Sequence, residues 1–203
     1  DRASVWTELG IPAAPSTRII LTLSKLGPWK RHDRIIGAMP AILQEMPDTY
    51  LVIAHRGETR PLLERYAQQL GVEHRVFFTG PVPHTQVYRF LNACDLYVNC
   101  NDHSNLSHPV LEAMECDKPV VSIDDGSLDG IVTSGQQGVL VRLPDIAEEL
   151  PRQVVSLLKD DARRADMGRK ARLFAEANLY SWEERMKIEV TRVEELLTQQ
   201  AEV

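Results

Sequence analysis

Short apolar runs alternate with helical patterns through most of this chain, and no other feature narrows its fold as much. The runs at 18–24, 50–54, 75–79, 96–100, 119–123 and 138–141 show little polar alternation, as expected of strands buried on both faces of a parallel sheet. Helices are predicted between them at 33–45, 61–70, 86–93, 109–116 and 127–133. In the third of these, Val87, Phe90 and Leu91 share one helical face, and Pro40 is expected to kink the first. Strict β-α alternation implies an α/β fold, a Rossmann-like open parallel sheet with helices on both faces. Three more helices are predicted after the last strand, at 146–159, 162–175 and 182–199. The last carries an apolar stripe of Trp182, Met186, Val190, Val193 and Leu197. Upstream, residues 4–9 suit a short helix and 10–16, with Pro12 and Pro15, a linker. The expected organisation is a helix and linker over 1–17, a Rossmann-like domain over 18–180 and a terminal helix over 181–203. A domain that begins with a linker reads as one piece of a longer protein.

Composition removes several function classes. With 23 Lys and Arg against 29 Asp and Glu, the net charge is -6. Sequence-independent nucleic-acid binding needs clustered basic residues to neutralise phosphate, so no nucleic-acid partner is expected. No apolar run approaches the roughly 20 residues of a membrane span. Cys94, Cys100 and Cys116 show no C-x-x-C spacing and lie in or beside apolar runs. They read as buried, reduced thiols, and the expected location is cytoplasmic, in solution or peripheral at the inner membrane face.

Three stretches carry chemistry. The first is Ser24-Lys25-Leu26-Gly27-Pro28-Trp29-Lys30-Arg31, which follows the first strand and therefore lies at the carboxyl edge of the sheet, where open α/β folds bind ligands. Lys25 and Lys30, five residues apart, suit a diphosphate, with His32, Arg31 and Arg34 adding positive charge; taken alone, the stretch also fits a solvated basic helix start. The second runs from His103 to Met114. Ser107 is a good N-cap, His108 and Pro109 open a helix, and that N-terminus is a ready anion site. Glu112, about one turn in, suits two ribose hydroxyls or, more simply, a carboxylate favoured by the helix dipole. The third, Phe77 to His84, ends a strand at Gly80 and stiffens the following loop with Pro81 and Pro83. Its exposed backbone groups suit a nucleobase edge or an ordinary turn. Neither a Walker loop nor a G-x-G-x-x-G is present, which argues against a P-loop enzyme and a dinucleotide oxidoreductase.

In order and spacing these pieces resemble the retaining glycosyltransferases of GT-B architecture, glycosyl transferases group 1. The resemblance is to the C-terminal, nucleotide-sugar-binding half and covers nearly the whole chain. The family's G-R-L-x-x-x-K-G loop is similar to Ser24–Arg31, with Lys25 and Lys30 at the diphosphate-binding positions. Its V-x-F-x-G-x-V stretch is similar to Val76-Phe77-Phe78-Thr79-Gly80-Pro81-Val82, with the base near Val82. Its E-A-M-x-x-x-x-P-V-V signature is similar to Glu112-Ala113-Met114-Glu115-Cys116-Asp117-Lys118-Pro119-Val120-Val121, with the ribose at the glutamate. Gly135, Gly138-Val139-Leu140-Val141 and Tyr180-Ser181-Trp182 match further family positions. The resemblance implies a nucleoside diphosphate sugar as donor substrate, with no cofactor and no metal. It also implies retention at the anomeric carbon, an acceptor-binding N-terminal half outside this chain, and diphosphate contacts from backbone N–H groups near Leu106, Ser107 and His108.

The departures are specific. The family's first glutamate falls on Ser104, and the glycines after it are replaced by Asn105 and Ser107. Asp102, two residues upstream, is a candidate substitute. Lys25, Lys30, Asp102 and Ser104 are thus the catalytic candidates. His55 and Arg56 replace the usual small residues before Gly57. Two alternatives stay open here: a nucleotide-sugar epimerase of similar fold, and a sugar-nucleotide-binding module that has lost catalysis.

Overall fold

A computed structural model describes residues 2–102 and 107–201. Among them are six strands, β1 (Arg18–Leu23), β2 (Thr49–Ala54), β3 (Val76–Gly80), β4 (Leu96–Asn99), β5 (Val120–Ile123) and β6 (Gly138–Val141). All pair in parallel, in the order β3-β2-β1-β4-β5-β6. Pairing of β1 with β2 runs from Arg18↔Thr49 to Leu23↔Ala54, whereas β1 meets β4 at Ile20↔Leu96 and Leu21↔Tyr97. The strand order reverses between β1 and β4, so the loops leaving these two strands diverge and open a crevice at the carboxyl edge.

Strand residues alternate between two cores. Ile20, Leu51, Ile53, Val98 and Val121 pack under α2 (His32–Glu45), α3 (Arg60–Gln69) and α6 (Ile146–Lys159). Ile19, Leu21, Val52, Tyr97 and Val120 pack under α1 (Arg2–Thr7), α4 (His84–Ala93), α5 (His108–Glu115) and α7 (Asp161–Asn178). Ile19, Ile20 and Leu21 are fully buried in succession. This explains the unbroken apolar run, since neither face of β1 meets water and each such side chain contributes about 1.5–3 kcal/mol. Burial pushes the Cys94 and Cys100 thiols up to about 12, so both are inert at neutral pH.

Three expectations need correcting. Residues 127–133 form turns rather than a helix, because Gly126, Gly130 and Gly135 take φ of 81°, 75° and 85°, which break any helical run. Leu128 and Val132 are buried from these turns all the same. The third strand begins at Val76, since Arg75 closes a 3-10 turn over Glu73–Arg75. Ser107 occupies the N-cap position of α5, but its buried hydroxyl makes no capping hydrogen bond. Residues of the 1–17 segment pack on the domain: Trp6 is 1% exposed, donates from Nε1 to Ala93 O at 3.0 Å, and meets Phe90 edge-on at 6.0 Å.

The last helix, α8 (Trp182–Ala201), opens with a reciprocal cap. Ser181 N–H donates to Glu184 Oε2 at 2.9 Å, and Glu184 N–H to Ser181 Oγ at 3.2 Å. Its apolar stripe is uncovered, with Trp182 at 70%, Val193 at 55% and Leu197 at 63% exposure. No helix among the described residues is long and apolar enough to cross a membrane.

Candidate functional site

Leaving β1, the chain passes through 24–27 into a 3-10 turn over Pro28–Lys30 and then into α2. This loop is clamped from two sides. On one side, fully buried Leu26 donates its N–H to Arg56 O at 3.1 Å, and its carbonyl accepts from Thr59 N at 3.2 Å and Thr59 Oγ1 at 2.9 Å. Gly57 permits that approach, because a Cβ there would lie 2.2 Å from Leu26 O. On the other side, Asp102, just past β4, donates its N–H to Trp29 O at 2.9 Å. Its carboxylate accepts from Arg31 Nη1 at 3.2 Å and from Arg34. Arg34 also donates to Cys100 O at 2.7 Å. Burial works to raise the Asp102 carboxyl, but the two guanidinium groups outweigh it and hold it below the usual carboxylate range.

Under the same loop lies His32, 3% exposed, with Nε2 3.0 Å from Ser24 Oγ. Burial pulls its pKa down to about 4, helped by the Lys30 charge and opposed by Asp33. The imidazole is therefore neutral at physiological pH, not the added positive charge that the sequence suggests.

Above it opens a cleft of about 360 Å³, lined by Leu23, Ser24, Lys25, Lys30, His55, Val82, His84, Val87, Pro109 and Glu112. Four residues singled out from three separate stretches of sequence meet here: Lys25, Lys30, Val82 and Glu112. Lys25 is exposed and Lys30 half-buried. Burial lowers the Lys30 pKa, so this partly desolvated ammonium gains from an anionic partner. Glu112 lines the same cleft, and its Oε1 is 3.2 Å from His84 Nε2. The chemistry on offer is two ammonium donors, a carboxylate acceptor on α5, and the apolar side chains of Leu23, Val82 and Val87.

The other candidates fall elsewhere. His108 begins α5 but is exposed and is not among the lining residues. Asp102 also stands off the lining, its carboxylate engaged by Arg31 and Arg34. Ser104 and Leu106, with His103 and Asn105, lie outside the described residues. His84 was missed as a site residue, although its position just after the stiff Pro81–Pro83 loop was a signal. A cleft of about 420 Å³ at the amino ends of β1 and β4 contains Arg2 and Asp95, which pair with each other at 2.6 Å. Among the described residues no group of three His, Cys, Asp or Glu side chains is placed to hold a metal ion.

Known proteins resemble this chain in sequence and fold. The chain is 32% identical over 191 residues to the GDP-mannose-dependent alpha-(1-6)-phosphatidylinositol monomannoside mannosyltransferase of Mycolicibacterium smegmatis, covering 91% of this chain and 49% of that protein. It thus spans about half the length of the curated relative it matches. The crystal structure of Anabaena HepE in complex with UDP and glucose superimposes with a TM-score of 0.83 at 23% identity, over 95% of this chain and 52% of that one. The C-terminal domain of a glycosyl transferase group 1 family protein, LpcC from Francisella tularensis, superimposes with a TM-score of 0.75 at 19% identity, over 88% of this chain and 92% of that one. The fold is accordingly that of one half of a GT-B glycosyltransferase. The model of the family described as Glycosyl transferases group 1 matches residues 10–174, and the chain belongs to that family.

Proposed function

We propose that this chain is the donor-binding half of a transferase that moves a sugar from a nucleoside diphosphate sugar to an acceptor, with retention at the anomeric carbon. The observation that carries the reading is the convergence of Lys25, Lys30, Val82 and Glu112 on one cleft beside the β1/β4 reversal. Lys25 and Lys30 hold the diphosphate, Glu112 accepts hydrogen bonds from the ribose, and the base lies against Val82.

The two lysines stabilise the charge that builds on the diphosphate as the bond from its oxygen to the anomeric carbon breaks. The acceptor oxygen bonds to that carbon from the same face, and its proton passes to the departing diphosphate. No metal is required, because the ammonium groups supply the countercharge. The acceptor is held by a second Rossmann-like half outside this chain, so the chain alone binds donor and transfers nothing. Similarity to a phosphatidylinositol monomannoside mannosyltransferase supports an acceptor of lipid type.

Calorimetric titration of this chain with UDP and GDP, beside a transfer assay on the chain joined to its other half, tests the reading. Nucleotide binding by the chain and transfer by the joined protein are expected. Epimerised donor, or binding without transfer in the joined protein, would replace it with one of the two alternatives.

A further inference from the structure

His55 lines the cleft at the end of β2 with φ of 126°, a backbone region that side-chain-bearing residues rarely adopt. The conformation is pinned by His55 N–H donating to Gly80 O at 2.9 Å, which ties the end of β2 to the end of β3. Glycine would hold this backbone without strain, so a half-buried imidazole here needs a compensating use. Strand order says where that use lies. Because β2 stands between β1 and β3, His55 sits between the lysines that follow β1 and Val82 that follows β3. A nucleotide with its diphosphate on Lys25 and Lys30 and its base against Val82 must pass this imidazole. Ring orientation is set as well. Nδ1 lies 2.9 Å from Arg56 N and 3.2 Å from Arg56 O, and a ring that accepts the shorter of these contacts carries its N–H on Nε2.

We propose that His55 is a specificity-determining residue of this cleft, donating a hydrogen bond from Nε2 to an acceptor atom on the edge of the nucleobase. The inference rests on the donor-binding reading above and adds a base contact to it.

The test separates the side chain from its backbone. His55→Gly removes the imidazole and the strain, whereas His55→Ala removes the imidazole and keeps the strain. Both are titrated with UDP, GDP and inorganic pyrophosphate, and their thermal midpoints are measured. Both variants are expected to bind the preferred nucleotide about tenfold more weakly, the worth of one hydrogen bond, with pyrophosphate binding unchanged. The glycine variant is expected to unfold roughly 2–4 °C above the alanine variant. If the glycine variant binds nucleotide like the native chain, or if pyrophosphate binding falls as far as nucleotide binding, the base contact is wrong. Lys30→Ala, run alongside, should weaken nucleotide and pyrophosphate together. Native-like binding of both by that control, or no nucleotide binding by the native chain, would overturn the donor-site reading and this inference with it.

Discussion

His84 Nε2 lies 3.2 Å from Glu112 Oε1, so the first residue of α4 and a residue one turn into α5 close one wall of the cleft together. The carboxylate assigned to the ribose therefore already has a partner, but a weak one, because the His84 side chain is 88% exposed. His84→Ala is expected to change UDP or GDP affinity by less than about fivefold, against tenfold or more for Glu112→Gln. Titration of the two variants compares them. Equal losses would make the imidazole itself a nucleotide ligand.

His32 makes stability depend on pH. Its folded-state pKa of about 4 lies below the ordinary 6.5, so between these values the unfolded chain binds more protons and stability rises with pH. The contribution is complete above pH 6.5 and is lost as pH falls toward 4, up to about 3 kcal/mol in all. Urea unfolding at pH 7.5, 6 and 5 should show this slope in the native chain and a flatter one in His32→Gln. The same slope in both would assign it to other groups.

Gly57 holds the lysine loop in place by letting two loops touch. A Cβ at 2.2 Å from Leu26 O forces them apart, and Gly57→Ala is expected to cost about 3 kcal/mol. Denaturant midpoints would report the loss, and pyrophosphate affinity should fall with it because Lys25 precedes Leu26. Native stability in the variant would mean that the two loops have room to separate.

The apolar stripe of α8 contributes little within this chain, since Val190 and Val193 are 49% and 55% exposed. Val190→Gln with Val193→Gln should change the unfolding free energy by less than about 0.5 kcal/mol each. A loss of 2 kcal/mol or more would show that the stripe packs against the domain.

The six strands were legible to within a residue or two, because each reads as an apolar run, buried on both faces in the inner strands β2, β4 and β5 and partly covered at Phe77 to Thr79 of the edge strand β3. The helix expected at 127–133 was not, since local pattern hid three glycines held at positive φ. The lysines, Val82 and Glu112 were found by motif, but their meeting depends on the strand order, which no local pattern encodes. Least legible were the supports of the site. Asp102 reaches Arg31 and Arg34 across 71 and 68 residues of sequence, a contact that no local pattern encodes. His32 follows Lys30 and Arg31 and so reads as part of a solvated basic run, whereas the fold buries it beneath that run.

In the proposed function Lys30 and Glu112 serve different parts of one ligand. Lys30→Ala and Glu112→Gln are titrated calorimetrically with a nucleoside diphosphate, UDP or GDP, and with inorganic pyrophosphate. Lys30→Ala should weaken both ligands by roughly 1.5–3 kcal/mol, the usual worth of a hydrogen bond to a charged group. Glu112→Gln should weaken the nucleotide and spare pyrophosphate, because its partner is the ribose. Equal losses for Glu112→Gln against both ligands would contradict the account and leave Glu112 acting through the stability of α5 alone.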